Sequence, residues 1–373
     1  MNRLLRGIPR HDPRVLLGGG VGEDAAVIDF GAPPLHGLRP QRAGTPPAAA
    51  SAGVLLPPGP LVGDAVAGDD RLLIAKTDPV TFATDLIGWY AVHVNANDVA
   101  CAGATPRWFL ATALLPRQWE EREIAALFEQ LVQACTSLGV TLVGGHTEIT
   151  GGLERPIVVG CMLGEVERAR AIHTAGAQAG DDLLLTQGVA VEGTAVLARE
   201  TAGRLRALGV AGETIARAQQ LLFTPGISVV GAAQALCQAV PPPEGLHSLH
   251  DPTEGGLASG VRELVEASGL GAVVDAGALE VLPETRAICD ALSLDPLGLL
   301  ASGALLAAVA PGATTLALAT LQERGIPARV VGRLMPREEG LWIAGPTGER
   351  RAWPHFDRDE VARYLDEFST DSG

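Results

Sequence analysis

The stretch AKTDPVTFATDLIGWYAVHVNANDVACAGATPRWFLATALLP, residues 75–116, decides how the rest of the chain is read. The apolar run Leu72 to Thr77 leads into it and predicts a strand that stops at Asp78-Pro79, with a carboxylate at its end. A helix is predicted from Asp85 to Cys101. There Ile87, Tyr90, Val94, Asp98 and Cys101 recur at three- and four-residue spacing and so share one stripe. Asp98 thus sits on a buried-looking face. A carboxylate buried alone is costly or becomes neutral, so Asp98 calls for a cation, a metal or a dense set of hydrogen bonds. A core ion pair and a ligand-binding acid both meet that demand.

Downstream, Ala104-Thr105-Pro106 turns the chain and Arg107 to Leu115 reads as a second strand. A helix from about Glu120 to Leu138 follows, with Glu120, Glu121 and Glu123 at its positive end and Gly139 as its stop. Val140 to Val143 then predicts a buried strand running into a Gly144-Gly145 turn that presents His146, Thr147 and Glu148. Paired glycines let a ligand approach the backbone, and Glu148 is a candidate metal carboxylate. His146 taken alone reads first as a hydrogen-bonded structural histidine. Pro156 to Val166 adds one more strand, so residues 1–170 form a strand-rich α+β domain with acids at strand ends.

Upstream, Gly18-Gly19-Gly20-Val21-Gly22-Glu23-Asp24 enters a short strand to Asp29. This is either a phosphate-approaching loop whose acids hold a metal, or a flexible linker. Residues 31–70 are rich in Pro, Gly and Ala without periodicity and read as a mobile insert.

The second half, residues 171–345, alternates strands with helices. Strands are predicted at Asp182–Thr186, Gly245–Leu249, Ala272–Asp275, Ala304–Val309 and Ala328–Leu334. Helices are predicted over Glu192–Leu208, Glu213–Phe223, Ser228–Val240, Leu257–Ala267 and Thr314–Arg324. Within it His250-Asp251-Pro252-Thr253-Glu254-Gly255-Gly256 has the form of a helix start, with Asp251 as cap, Pro252 at the first position and Glu254 closing a capping box. The same residues could also face an anion. Residues 346–373 read as a polar, peripheral tail.

The 43 acidic against 28 basic residues, a formal charge of −15, exclude nucleic acid or an anionic membrane as main partner. No membrane span or signal peptide is read in the sequence, which predicts a cytoplasmic protein. The five cysteines are scattered and read as reduced core residues. A GxxxxGK[ST] loop, kinase signatures, a GxSxG elbow and HExxH are all absent, which leaves acids and glycine turns to carry any chemistry.

The ordered set Gly22-Glu23-Asp24-Ala25-Ala26, Lys76-Thr77-Asp78, Asn97-Asp98-Val99-Ala100 with Gly103-Ala104-Thr105-Pro106, Gly144-Gly145-His146-Thr147-Glu148 and Asp251-Pro252-Thr253-Glu254-Gly255-Gly256 resembles the aminoimidazole ribonucleotide synthetase (PurM-like) superfamily, over about Gly18 to Pro336. With Ser302-Gly303, the look is closest to its hydrogenase-maturation branch. The resemblance implies a two-domain PurM-like fold: an N-terminal domain forming a dimeric β-barrel and a C-terminal α/β sandwich. It also implies a homodimer, and ATP with Mg2+ phosphorylating an amide- or carboxylate-like oxygen of a small or carried acceptor, with a maturation protein as possible partner.

Carried over by motif, the catalytic set is Asp98, Lys76 and His146, and the metal set Asp24, Asp78, Asp98 and Glu148. The nucleotide set is Gly22, Asp24, Thr77, Asp78, Asn97, Gly144, Gly145, Thr147, Asp251, Gly255 and Gly256. Selenophosphate synthesis is set aside because Met1 to Asp24 holds no cysteine, and a cysteine-carried intermediate is not expected, since Cys289 lies inside the second domain. A thiamine-monophosphate-kinase-like enzyme and a non-catalytic nucleotide-binding scaffold are the alternatives.

Overall fold

The computed structural model describes residues 15–17, 25–29, 70–81 and 85–371. The Gly18–Asp24 loop and, apart from Asp70, the insert over 31–70 lie outside the described residues. Two sheets organise the chain. The first takes β1 (Val15–Leu17), β2 (Ala26–Asp29), β3 (Arg71–Val80), β4 (Thr105–Pro116), β5 (Thr141–Thr150) and β6 (Ile157–Glu167), in the order β1-β2-β3-β6-β4-β5. All its pairs are antiparallel except β4 with β5. Among the described residues it is an open sheet.

Strand β3 runs through Asp78-Pro79 to Val80 and does not stop at the carboxylate as the sequence predicts. Pairing with β6 carries it on, from Arg71 opposite Glu167 to Val80 opposite Val158. The segment from Val140 differs more. It is one continuous, largely exposed strand with no turn at Gly144-Gly145. Gly145 has φ 143°, and a Cβ there would lie 1.9 Å from the Ala111 carbonyl oxygen, so this glycine serves the close approach of β4 to β5.

Helices α1 (Ile87–Cys101) and α2 (Glu121–Leu138) cover this sheet. Glu120 and Glu123 form the capping box of α2, and Gly139, with φ 67°, ends it. Helix α1 is buried nearly all round, because the first sheet, α2 and the second domain all pack on it.

The second domain contains β7 (Asp182–Thr186), α3 (Val191–Glu200), α4 (Ala202–Ala207), α5 (Gly212–Gln220), α6 (Val230–Ala239), β8 (Leu246–His250), α7 (Gly256–Ser268), β9 (Leu270–Asp275), α8 (Pro283–Leu292), β10 (Leu306–Val309), α9 (Thr314–Glu323), β11 (Ala328–Pro336), β12 (Leu341–Ala344), β13 (Arg350–Ala352) and α10 (Glu360–Asp371). Its sheet runs β13-β12-β9-β11-β7-β10-β8. The central strands carry the core: Leu183, Leu184 and the whole of β10 are buried. Gly212–Ala239 is long and apolar enough to cross a membrane by length and composition, but it breaks at Thr224-Pro225 and most of its apolar stretch is buried inside the protein.

Within the segment read from sequence as a peripheral tail, Trp353 and Val361 pack against the core. Trp353 is 4% exposed and donates its indole N–H to the Ala258 carbonyl, and Val361 is 1% exposed. Polar composition hid these anchors, because two apolar side chains are enough to dock so short a segment.

Candidate functional site

Alternation along β3 places Leu72, Ile74, Lys76 and Asp78 on the face that meets α1. The two leucine-like positions are fully buried and fix the strand against the helix. The next two are charged. Lys76 Nζ lies 3.2 Å from Asp98 Oδ2 and 3.6 Å from Asp78 Oδ2. Burial works against the ammonium, but Asp98, Asp78 and Asp251 outweigh it and hold the Lys76 pKa above the ordinary lysine value. Asp98 therefore has the cation that its buried stripe demanded. Asp251, at the end of the second-domain strand β8, is 2% exposed and accepts a hydrogen bond from Cys101 Sγ at 3.6 Å.

The other nucleotide candidates divide. Thr77 donates its hydroxyl to the Gly160 carbonyl at 2.7 Å. Asn97 is spent on the domain junction: its Nδ2 donates to Ile227 O at 2.8 Å and its Oδ1 accepts from Val229 N–H at 2.9 Å. Gly144, Gly145, His146, Thr147 and Glu148 lie on β5, separated from β3 by β6 and β4, a span of about 14 Å at the usual strand spacing. Within one protomer they do not join Lys76, Asp78 and Asp98. Gly22 and Asp24 lie outside the described residues.

The helix start also differs from its reading. Helix α7 begins at Gly256, with Gly255 as its cap in the left-handed region at φ 75°, so neither Asp251 nor Pro252 opens it. The Gly255 N–H donates to Asp359 Oδ2 at 2.9 Å, which puts a protein carboxylate at the helix end where an external anion was expected. Burial pushes Asp359 up to about 6, against the pull of the Gly255, Val361 and Ala362 amides. Among the described residues no three His, Cys, Asp or Glu side chains gather as a metal site. Asp78 and Asp98 share the Lys76 ammonium instead; of the expected metal set, Glu148 is held apart on β5 and Asp24 lies outside the described residues.

Sequence reasoning missed Glu192, and it used Ser302 only as a mark of the resemblance, not as a site residue. A cavity of ≈ 320 Å³ between the domains is lined by Asp78 from β3 and by Glu192, Glu254, Glu263 and Ser302 from the second domain. Glu192 sits in the first turn of α3 and Ser302 in the turn before β10, and both are 1% exposed. Burial raises Glu192 to about 7, partly offset by Ser302 beside it. The signal available was a lone acid in an otherwise apolar helix start, VEGTAVLA, which is no stronger than any first-turn acid.

The chain matches the models for the AIR synthase related protein N-terminal domain over residues 52–166 and C-terminal domain over 178–342. It is 31% identical to the carbamoyl dehydratase HypE of Cupriavidus necator over 265 residues, 69% of this chain and 70% of that protein. The crystal structure of HypE from E. coli, a hydrogenase maturation protein, superposes with a TM-score of 0.67 at 25% identity, covering 78% of this chain and 88% of that one. A HypE structure in complex with ATP shares the fold at a TM-score of 0.65 and 22% identity, over 78% and 86% of the two chains. With both halves matched in order, the chain belongs to the AIR synthase related, PurM-like superfamily, in its HypE-like branch.

Proposed function

We propose that the protein uses ATP to phosphorylate an amide- or carboxylate-like oxygen of an acceptor held between its two domains, as an enzyme of the carbamoyl dehydratase kind. An amide oxygen is a poor leaving group, and phosphorylation makes it a good one. What the protein must supply is position and charge compensation. The observation that carries the reading is the Lys76 ammonium, held charged by Asp98, Asp78 and Asp251 where Asp78 opens onto the interdomain cavity. In this role Lys76 meets the transferring phosphoryl group, Asp98 and Asp251 fix the lysine, and Asp78 faces the acceptor.

Magnesium belongs to the same proposal as the counter-ion of the triphosphate. The described residues form no site for it, so any protein ligand beyond Asp78 comes from outside them or from a second protomer. A homodimer fits the open sheet. Strand β5 is a ten-residue edge whose Val143 and Ile149 are 51% and 56% exposed, and closing a barrel across two protomers would cover it and bring Glu148 and His146 toward another chain. A cytoplasmic location and a partner protein that delivers the acceptor go with this reading.

Titration calorimetry with ATP and magnesium, followed by an ADP-release assay, tests it. Wild type should bind ATP and Lys76→Met should lose most of that affinity while remaining folded. ATP binding that ignores Lys76→Met would refute the assignment.

A further inference from the structure

A second cavity, of ≈ 490 Å³, lies where β3 begins and shares no lining residue with the interdomain cavity at the far end of that strand. Arg71 lines the one and Asp78 the other, seven residues of extended chain or about 23 Å apart. Both domains contribute to the second cavity too, with Arg71 from β3, Arg107 from β4 and Gln234 and Gln238 from α6. Its charge is the reverse of the first. Arg71, Arg107 and Arg170 line it against Glu165 and Glu167, a local positive excess in a chain of net charge −15. Arg71 is matched by Glu165, with Nη1 3.3 Å from Oε2. Arg170 instead donates from Nη2 to the Cys237 carbonyl, which α6 leaves open because the residue four places on, Pro241, has no N–H. A carbonyl fixes a guanidinium without cancelling its charge. Arg107 is exposed, and among the described residues no carboxylate pairs with it.

Two uncompensated guanidinium groups, one on β4 and one in the turn after β6, thus line a single cavity. Their forked donors suit an oxyanion. A phosphate group, with a charge of about −1.5 to −2 at neutral pH and three acceptor oxygens, answers two such forks better than a carboxylate does. The rest of the wall forms hydrogen bonds: Gln234 and Gln238 stand four residues apart on one face of α6, and Glu167 is the exposed last residue of β6. These side chains accept from hydroxyl groups, and the volume is that of a small-molecule site. We propose that this cavity is a second ligand site, distinct from the interdomain one, for a small phosphorylated and hydroxylated molecule. Arg107 and Arg170 hold the phosphate, and Glu167 with the two glutamines meets the hydroxyl groups.

Calorimetric titration of the full chain with glycerol 3-phosphate, inorganic phosphate and lactate tests this apart from any ATP chemistry. Glycerol 3-phosphate should bind at least about tenfold more tightly than lactate, the worth of one further charge-assisted hydrogen bond, and its affinity should fall as salt is added. Inorganic phosphate should bind more weakly than the ester, since it leaves Glu167 and the glutamines unused. Arg107→Gln should weaken ester binding by about tenfold or more. Because Arg107 is exposed and unpaired, that variant should keep the wild-type melting temperature and the wild-type ATP titration. Arg170→Gln should weaken the ester similarly and also lower the melting temperature, since it releases the Cys237 carbonyl. Lactate or inorganic phosphate binding as tightly as the ester, wild-type ester affinity in Arg107→Gln, or a matching loss of ATP affinity in that variant would overturn the proposal.

Discussion

The Lys76 ammonium, on the third strand of the first sheet, lies 3.2 Å from the Asp98 carboxylate on the helix packed across it. Breaking one half of a buried pair leaves the other uncompensated, but Asp78 stands 3.6 Å from the same ammonium and softens the loss. Asp98→Asn should therefore cost about 1–3 kcal/mol in denaturant unfolding, below the usual range for a buried pair. The double variant Lys76→Met with Asp98→Asn should recover part of that stability and none of the ATP affinity. Complete additivity in this cycle would mean that the two side chains do not interact.

Strand β5 predicts how the chain associates. Exposed apolar side chains on a long unpaired edge invite another strand, and a lysine placed there blocks pairing. In the proposed homodimer, Val143→Lys with Ile149→Lys should convert the dimer to a monomer in sedimentation at micromolar protein, with little change in melting temperature. An unaltered dimer would place the interface elsewhere.

The C-terminal segment should matter for stability. Trp353→Ala removes a buried indole and its bond to Ala258, a loss of about 3–5 kcal/mol for an aromatic core residue. Asp359→Ala frees the Gly255 amide and should cost about 1–2 kcal/mol, as other helix-start carboxylates do. Wild-type stability in both variants would restore the view of residues 346–373 as peripheral.

Stability should fall as the pH rises from about 4 to 7. Glu192 is raised to about 7 in the folded chain, above its ordinary 4.5, so the native state holds a proton that the unfolded chain has released. Stability is fullest below the unfolded value and declines until the folded value is passed, by at most about 3 kcal/mol for this group. Asp359, raised to about 6 from 3.8, acts with the same sign at lower pH. Glu192→Gln should flatten the upper part of the curve in melting scans across this range.

The thiols should resist acylation. Cys135 and Cys237 are pushed up to about 11 and Cys289 to about 12, in each case chiefly by burial, and Cys101 donates to Asp251. Incubation with ATP, magnesium and a carbamoyl donor should leave the intact mass of the native protein unchanged. A stoichiometric adduct on any of these four would contradict the burial argument.

Periodicity made the central helix and most second-domain elements legible. Asp182–Thr186 matches its strand residue for residue, and the helical stripe alone shows Asp98 to be an acid that needs a partner, which Lys76 supplies. Residue order could not show that β6 and β4 come between β3 and β5, so Glu148 and His146 seemed to join Asp78 when pairing holds them apart. The start of α7 was misplaced because Asp251-Pro252 satisfies every local rule for a cap, while the glycines that do open the helix need a backbone approach visible only in three dimensions: a Cβ on Gly256 would stand 2.4 Å from the Leu297 carbonyl oxygen. Helix α8 carried a signal that the reading passed over, with Thr285, Ile288, Cys289 and Leu292 at helical spacing behind Pro283, whereas strands β12 and β13, of four and three residues, are too short to show a period.

Asn97 sits in the middle of a helix of one domain, yet both ends of its carboxamide grip the backbone of the other, at Ile227 and Val229. Sliding the domains past each other would break both bonds at once, while a small rotation about the amide would keep them. The junction therefore has the kinematics of a pin joint. The Arg199–Asp85 pair and the Arg170 bond to the Cys237 carbonyl cross the same junction and would resist a swing about that pin.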